Sequence, residues 1–187
     1  MITILAAKLT GDGMPHEEGR LMRERLTARV LLFDPEGRLL LMQGRASPGD
    51  GKPRRWFPVG GGADPGEGVM QAAAREALEE TGIQDIRLGP AVWRRLGVGR
   101  LYDGEVVTFN EHYVVGFCVG GDISRAAWEA HEHDLVDDIR WWSLDEMLTT
   151  TEILLPEGLT DLLPDILAGR YPDEPIELPT RNWLNED

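Results

Sequence analysis

Glu76, Glu79 and Glu80 are three carboxylates at a spacing that only a helix makes meaningful. At about 100° per residue, positions i+3 and i+4 fall within about 60° of position i, one to either side of it, so the three share one helix face and converge. Carboxylates this close repel one another, which raises their pKa values unless something positive is held between them. A hard divalent cation answers that need. Magnesium takes oxygen ligands, keeps several waters and bridges carboxylates to substrate phosphates. The bland alternative is a solvated acidic helix face, and the surrounding residues decide between the two.

Ala72, Ala73 and Ala74 favour helix, Gly68 serves as an N-cap, and Gly82 stands where a left-handed C-terminal residue is wanted. A helix is therefore expected over Gly68 to Thr81. Met70, Ala73, Ala74, Ala77 and Thr81 form an adjacent stripe whose mostly small side chains let the helix lie close on a sheet. Upstream, Gly60, Gly61, Gly62, Pro65 and Gly66 make a loop that permits unusual backbone angles and close approach of a ligand. Glu67 at the helix start is placed to pair with Arg75 two turns on, tying loop to helix.

Gly61, Glu67, Arg75, Glu76, Ala77, Glu79, Glu80, Gly82 and Ile83 fill every slot of a pattern that runs from Gly61 to Ile83. In this box the sequence resembles the Nudix hydrolases, and a looser likeness extends from about Leu26 to Met147. The resemblance implies an α/β fold, the Nudix α/β/α sandwich with a mixed β-sheet between helices. It also implies hydrolysis of a nucleoside diphosphate linked to another group: a nucleoside triphosphate, ADP-ribose, a dinucleoside polyphosphate or a sugar nucleotide. Mg²⁺ or Mn²⁺ would be held by Glu76, Glu79 and Glu80 with the backbone carbonyl of Gly60 alongside, and Glu79 and Glu80 would serve catalysis. Gly61, Glu67, Arg75 and Gly82 would be the structural positions of the box. Val59 stands where many members carry proline, with Pro58 one place earlier. In the family the catalytic base can lie in a loop ahead of a late strand. Here that loop is Gly120 to Asp138, and Glu132 is the candidate, with Glu129, Asp134, His131 and His133 as rivals. Two other readings stay open: a Nudix-fold sensor that binds a nucleotide sugar uncleaved, and an isomerase of prenyl diphosphates. Intact box glutamates argue against the first, and a lone Cys118 late in a strand against the second.

A chain of 187 residues, 42 % hydrophobic and 28 % charged, suits one globular domain with a real core. Its net charge of −14 argues against a nucleic-acid polymer as partner. A small polyphosphate meets the same repulsion, a further reason to expect a cation at the site. Cys118 is the only cysteine, which excludes an internal disulfide and a cysteine zinc site and fits the cytoplasm. The apolar start, Met1 to Ala7, is too short for a membrane span and lacks the preceding charge of a signal peptide.

In chain order, residues 1–25 read as an N-terminal strand (Ile2 to Leu9) and loop (Thr10 to Arg20), 26–150 as the hydrolase domain, and 151–187 as a helix and extended tail on the same domain. Leu26 to Phe33 and Arg38 to Gln43 are expected to form a hairpin about a type I turn at Asp34-Pro35-Glu36-Gly37. Lys52, Arg54 and Arg55 are the densest positive cluster and precede Trp56 and Phe57. Arg54, Arg55, Trp56 and Phe57 are thus candidates to receive phosphate and base, against a solvated loop anchored by its aromatics. Ile86 to Val98 and Glu105 to Val119 read as strands, with Glu111 favoured as a peripheral charge over a substrate contact. Ile139 to Trp142 reads as a strand whose tryptophans belong to the core, and Ser143 to Glu146 as a capping box. Leu159, Leu162, Leu163, Ile166 and Leu167 make a helical stripe in which Pro164 must sit in the first turn or kink the helix. Arg170 to Asp187 should be extended or packed on a second subunit of a homodimer.

Overall fold

Strand β4 (Glu24–Phe33) is apolar on both faces over its second half, and this places it in the middle of a two-sided sheet. The computed structural model describes residues 8–9, 15–17, 20–44, 53–101, 103–126, 128 and 135–184. Before β4 stand three short strands, β1 (Lys8–Leu9), β2 (Pro15–Glu17) and β3 (Arg20–Leu21), paired as a small antiparallel sheet of their own. The stretch expected to be a plain loop therefore contains strands. Most of the expected strand from Ile2 lies outside the described residues.

After β4 come β5 (Leu39–Gly44), β6 (Arg55–Pro58), helix α1 (Val69–Thr81), β7 (Arg87–Arg100), β8 (Val106–Phe117), β9 (Val136–Trp142) and helix α2 (Leu144–Thr149). The chain closes with β10 (Ile153–Leu154), helix α3 (Leu159–Leu167), β11 (Ile176–Glu177) and β12 (Arg181–Asn182). The large sheet is mixed, in the order β10-β6-β5-β4-β8-β7-β11, with β9 on β5 and β12 on β7. Ala28, Val30 and Leu32 face one way and meet Ala72, Ala73 and Ala77 of α1. Leu31 and Phe33 face the other way and meet Leu159, Leu163 and Ile166 of α3 and Met147 of α2. Helices thus cover both faces, the α/β/α sandwich.

The turn at Asp34 forms as its residues demand. Gly37 N–H donates to Asp34 O at 3.0 Å, Gly37 takes φ 73°, and the Asp34 carboxylate accepts from Arg38 N at 2.8 Å. The hairpin it joins pairs only at its mouth, Phe33 to Leu39. Beyond that point β5 leaves to pair with β6 and β9, and β4 takes the segment after β6 instead, through antiparallel bridges Val30–Val59 and Thr27–Gly62. This exchange of partners brings the glycine loop to the sheet.

Pro164 is not in the first turn but in the interior of α3, where burial of Leu159, Leu163 and Ile166 outweighs the hydrogen bond that proline removes. The tail is extended, and its described residues lie along this subunit: β11 and β12 add in parallel to β7, Ile176 beside Trp93 and Arg181 beside Gly97. Ser143 caps α2 as its spacing requires, its Oγ accepting from Glu146 N and its own N–H donating to Glu146 Oε2 at 2.8 Å. Among the described residues no helix is long and apolar enough to cross a membrane.

Leu163 is fully buried between α3 and the sheet. Leu163→Ala should cost about 2–5 kcal/mol of unfolding free energy in denaturant titration. A loss below about 1 kcal/mol would show that α3 does not close this face.

Candidate active site

Helix α1 sits where its alanines allow. Ala72, Ala73 and Ala77 are wholly buried against β4, which draws the helix axis close to the sheet. Gly68 N–H donates to Gln71 Oε1 at 2.9 Å at the start, and Gly82 ends the helix at φ 72° with its N–H on Leu78 O at 2.8 Å. The three glutamates are then unequal. The Glu80 and Glu76 side chains lie inward, while that of Glu79 is half exposed.

The glycine loop meets this face. Ala28 N donates to Gly61 O at 2.9 Å, Val30 N to Val59 O at 2.8 Å and Ala63 N to Leu26 O at 2.9 Å, so the loop is stitched to β4. Gly60, at φ 129°, is in a region closed to other residues, and a Cβ there would also strike the backbone of Ala28. A Cβ on Gly61 would overlap the Glu76 carboxylate, and one on Gly62 the guanidinium of Arg25. With no side chain in the way, Gly60 N–H donates to Glu80 Oε2.

Arg75 ties these parts together. Its Nε and Nη2 fork onto Glu67 at 3.0 and 2.9 Å, Nη2 also reaches Gly62 O at 2.9 Å, and Nη1 bridges Glu76 at 3.0 Å and Glu79 at 2.9 Å. The Arg75 hydrogen bonds, helped by Asp64 N–H, pull the Glu67 carboxyl down to about 2, and Glu67 in turn holds Arg75 above its ordinary value. Burial pushes Glu76 the other way, upward, against the pull of Arg75. That upward shift is the cost of taking a carboxylate out of water, which a bound cation would offset. As the side chains stand, no three acidic, imidazole or thiol groups among the described residues surround one point. Arg75 Nη1 takes the place between Glu76 and Glu79, and Glu80 faces Gly60. The set of hard oxygen donors nonetheless suits Mg²⁺ or Mn²⁺.

A second layer reaches the same loop from the sheet. Arg29 Nη1 donates to Gly60 O at 2.6 Å, and Arg29 Nε to Glu111 Oε1 at 3.2 Å. Arg95 closes on Glu111 Oε2 with Nε at 2.9 Å and Nη2 at 2.7 Å, and Tyr113 O–H donates to the same oxygen at 3.1 Å. Glu111 is thus no peripheral charge: it is 3 % exposed, at the centre of a buried network. Burial alone would raise its pKa, but the two guanidinium groups outweigh that and hold it ionised, below its ordinary value. Arg25, Thr27 and Arg29 alternate along β4 with Leu26, Ala28 and Val30. That period of two among polar residues was the signal for this layer.

The loop after β8 is moored to α1. Ser124 N donates to Thr81 O at 2.8 Å, and the buried Trp128 donates Nε1–H to the backbone carbonyl of Glu80 at 2.7 Å, with Arg125 over its ring. Nothing in the spacing of Trp128 announced this. Glu132, with Glu129, His131, His133 and Asp134, lies outside the described residues.

The aromatic and basic candidates before the loop are dispersed. Trp56 is 4 % exposed and packs edge-on to Trp142, ring centroids 5.0 Å apart, so it belongs to the core and has no face to offer a substrate. β6 alternates, which turns Phe57 to the opposite side, with the Arg29 guanidinium 5.8 Å from its ring centroid. Arg54 is paired with Asp137 at 2.8 Å, and Arg55 lies in register with Gly44 and Ile153. Lys52 is outside the described residues.

The NUDIX domain family matches residues 23–163. An RNA pyrophosphohydrolase of Caulobacter vibrioides (strain NA1000 / CB15N) is 32 % identical over 140 residues, 68 % of this chain and 74 % of that protein. Among solved structures, a NUDIX family hydrolase from Clostridium perfringens superposes with a TM-score of 0.54 at 16 % identity, covering 79 % of this chain and 98 % of that one. The MutT protein from Methanosarcina mazei Go1 superposes at 0.53 and 18 %, covering 79 % and 96 %. At such identities these two likenesses concern the fold.

Arg75→Lys keeps the charge but loses the fork, so it should lower both the melting temperature and the rate. An unchanged melting temperature with a raised KM would make Arg75 a substrate contact instead. The Glu67 pair also sets a pH dependence. A depressed carboxyl stabilises above its ordinary 4.5 and loses that stabilisation as pH falls toward about 2. The stability gap between wild type and Arg75→Lys should therefore narrow over that window in denaturant titrations.

Proposed function

The chain belongs to the NUDIX family as a pyrophosphohydrolase, and we propose that it cleaves the phosphoanhydride of a free nucleoside diphosphate derivative with Mg²⁺ or Mn²⁺. The observation that carries the reading is that the Glu76 and Glu80 carboxylates lie inward against a glycine loop, Glu76 where a Gly61 side chain would be and Glu80 on the Gly60 N–H. Glu76 and Glu80 would hold the cation directly, with Glu79 as a third ligand and the Gly60 carbonyl beside them. When bound, the cation neutralises charge on the phosphoanhydride oxygens and lowers the pKa of a coordinated water. The rest falls to the chain's own groups. Gly60 N–H orients the Glu80 carboxylate, Arg75 keeps helix and loop in register, and Arg29 fixes the direction of the Gly60 carbonyl. The proton of the attacking water goes to a carboxylate, for which we propose Glu132, four positions after Trp128 in sequence. Glu79 is next in line.

A second reading has one observation in its favour: the Caulobacter vibrioides relative is an RNA pyrophosphohydrolase, so the nucleotide could be the 5′ end of an RNA. The net charge of −14 weighs against a polyanion and for a free nucleotide. A non-hydrolysing sensor has nothing to recommend it, since every box glutamate is present. With a single cysteine, the cytoplasm is the compartment we propose.

Nucleotide products should be followed by chromatography, with Mg²⁺, over nucleoside triphosphates, ADP-ribose, dinucleoside polyphosphates, sugar nucleotides and a 5′-triphosphorylated oligoribonucleotide. Turnover of the oligoribonucleotide alone would select the second reading. Glu80→Gln should lose at least about 100-fold in rate with its melting temperature kept. More than about a tenth of the wild-type rate in that variant would sink the assignment of the glutamates.

For the base, Glu132→Gln should fall by about 100-fold or more at neutral pH with metal affinity unchanged. Glu129→Gln, Asp134→Asn and the double His131→Ala, His133→Ala are its comparisons. Wild-type rates in all four would return the role to the box.

A further inference from the structure

The matched family domain ends at residue 163, yet the chain continues to a segment docked beside the site. Leu178 is buried with its N–H on Arg94 O at 2.8 Å, Arg181 pairs with Glu157 at 2.9 Å, and Trp183 N donates to Val98 O at 2.9 Å. These anchors deliver the Trp183 indole onto β7 above Gly97 and Gly99, where any side chain at Gly97 would collide with it. Its ring stands edge-on to Phe109, centroids 5.7 Å apart at 86°, with the Arg95 guanidinium 5.0 Å from its centroid. Both aromatics are part exposed.

This corner lies on the sheet face that holds Arg29 and Glu111, in line with the glycine loop. Gly62 bridges to Thr27 on β4, Arg25 is in register with Phe109 on β8, and Phe109 with Gly97 on β7. Three interstrand steps separate the loop from Trp183, about 14 Å at the usual sheet spacing. The Arg25 guanidinium lies against Gly62, at the inner end of this line. It is half-buried, it feels the charge of Glu76, and among the described residues it has no hydrogen-bond or ion-pair partner. Most of the arginines around it are committed to carboxylates. A cation held open beside the glutamates, followed along one face by an aromatic corner, matches the order of a nucleotide from phosphate to base.

We infer that Arg25, Phe109 and Trp183 form a nucleoside subsite in which Arg25 meets a phosphate and the Phe109–Trp183 corner stacks the base of a free nucleotide. The segment beyond the family domain is then what fits this chain to a nucleoside. The inference rests on the pyrophosphohydrolase reading given above.

The test is calorimetry in Mg²⁺ with two non-hydrolysable probes, adenosine α,β-methylene diphosphate and methylenediphosphonate, which lacks the nucleoside. Trp183→Ala and Phe109→Ala should each weaken the adenosine probe about tenfold or more, the size of one base–aromatic stack, and methylenediphosphonate by less than about twofold. Trp183→Phe should restore most of the loss, which a merely unfolded tail would not allow. Arg25→Gln should weaken both probes. Equal weakening of both probes by Trp183→Ala, or weakening of neither, overturns the subsite, as does a wild type that binds a 5′-triphosphorylated oligoribonucleotide but not the adenosine probe. If the wild type hydrolyses free nucleotides while Trp183→Ala binds like wild type, only the subsite falls. If it hydrolyses no phosphoanhydride at all, the reading beneath it falls too.

Discussion

The absence of side chains at three successive positions, Gly60, Gly61 and Gly62, is the constraint on which the site depends. Each glycine faces a different neighbour: the backbone of Ala28, the carboxylate of Glu76 and the guanidinium of Arg25. Three layers of the structure can meet at one loop only because none of those places is filled. The meeting is made firm by backbone pairing with β4 on one side and by the Arg75 fork on the other. Helix, loop and central strand are in this way one rigid unit. A catalytic constellation needs such support more than it needs any single strong contact.

Charge is balanced at this unit in two different ways. On the helix side, one arginine serves four acceptors, Glu67, Glu76, Glu79 and the Gly62 carbonyl. On the sheet side the count is even: Arg29 and Arg95 share the carboxylate of Glu111, and Arg95 also reaches Glu157 at 3.2 Å. The helix side keeps surplus negative charge for a cation, and the sheet side is closed, buried and neutralised. Removing one member of the closed set would strand a buried charge, which is far costlier than loss of a surface pair.

The box was legible because a catalytic helix must state its chemistry in consecutive residues. Glu76, Glu79, Glu80, the alanine stripe and both capping glycines lie within one stretch, and their spacing already encodes a shared face. Turns and caps, at Asp34 to Gly37 and at Ser143, were legible for the same local reason. Contacts made across the sheet were not. Glu111 reads as an odd charge on an apolar strand until Arg29 and Arg95 arrive from strands 82 and 16 positions away in sequence. Trp56 and Phe57 are adjacent in sequence, and strand alternation sends them to opposite faces, so a basic-aromatic cluster in the chain is no cluster in space. The tail's attachment depends on which edge of the sheet is vacant, a property of topology alone.

That vacancy has its own consequence. Strand β7 runs fourteen residues along the sheet margin, long enough to recruit a strand from another molecule. Its two halves are guarded differently. Near Gly89 and Pro90 the register slips twice, and proline withdraws a donor, so the first half is a poor template. The second half is regular, and β11 and β12 lie along it from Trp93 to Val98. The segment that carries Trp183 is therefore also a guard against self-association: a chain shortened before Ile176 would expose a straight, hydrogen-bonding margin, and its first symptom would be aggregation rather than unfolding.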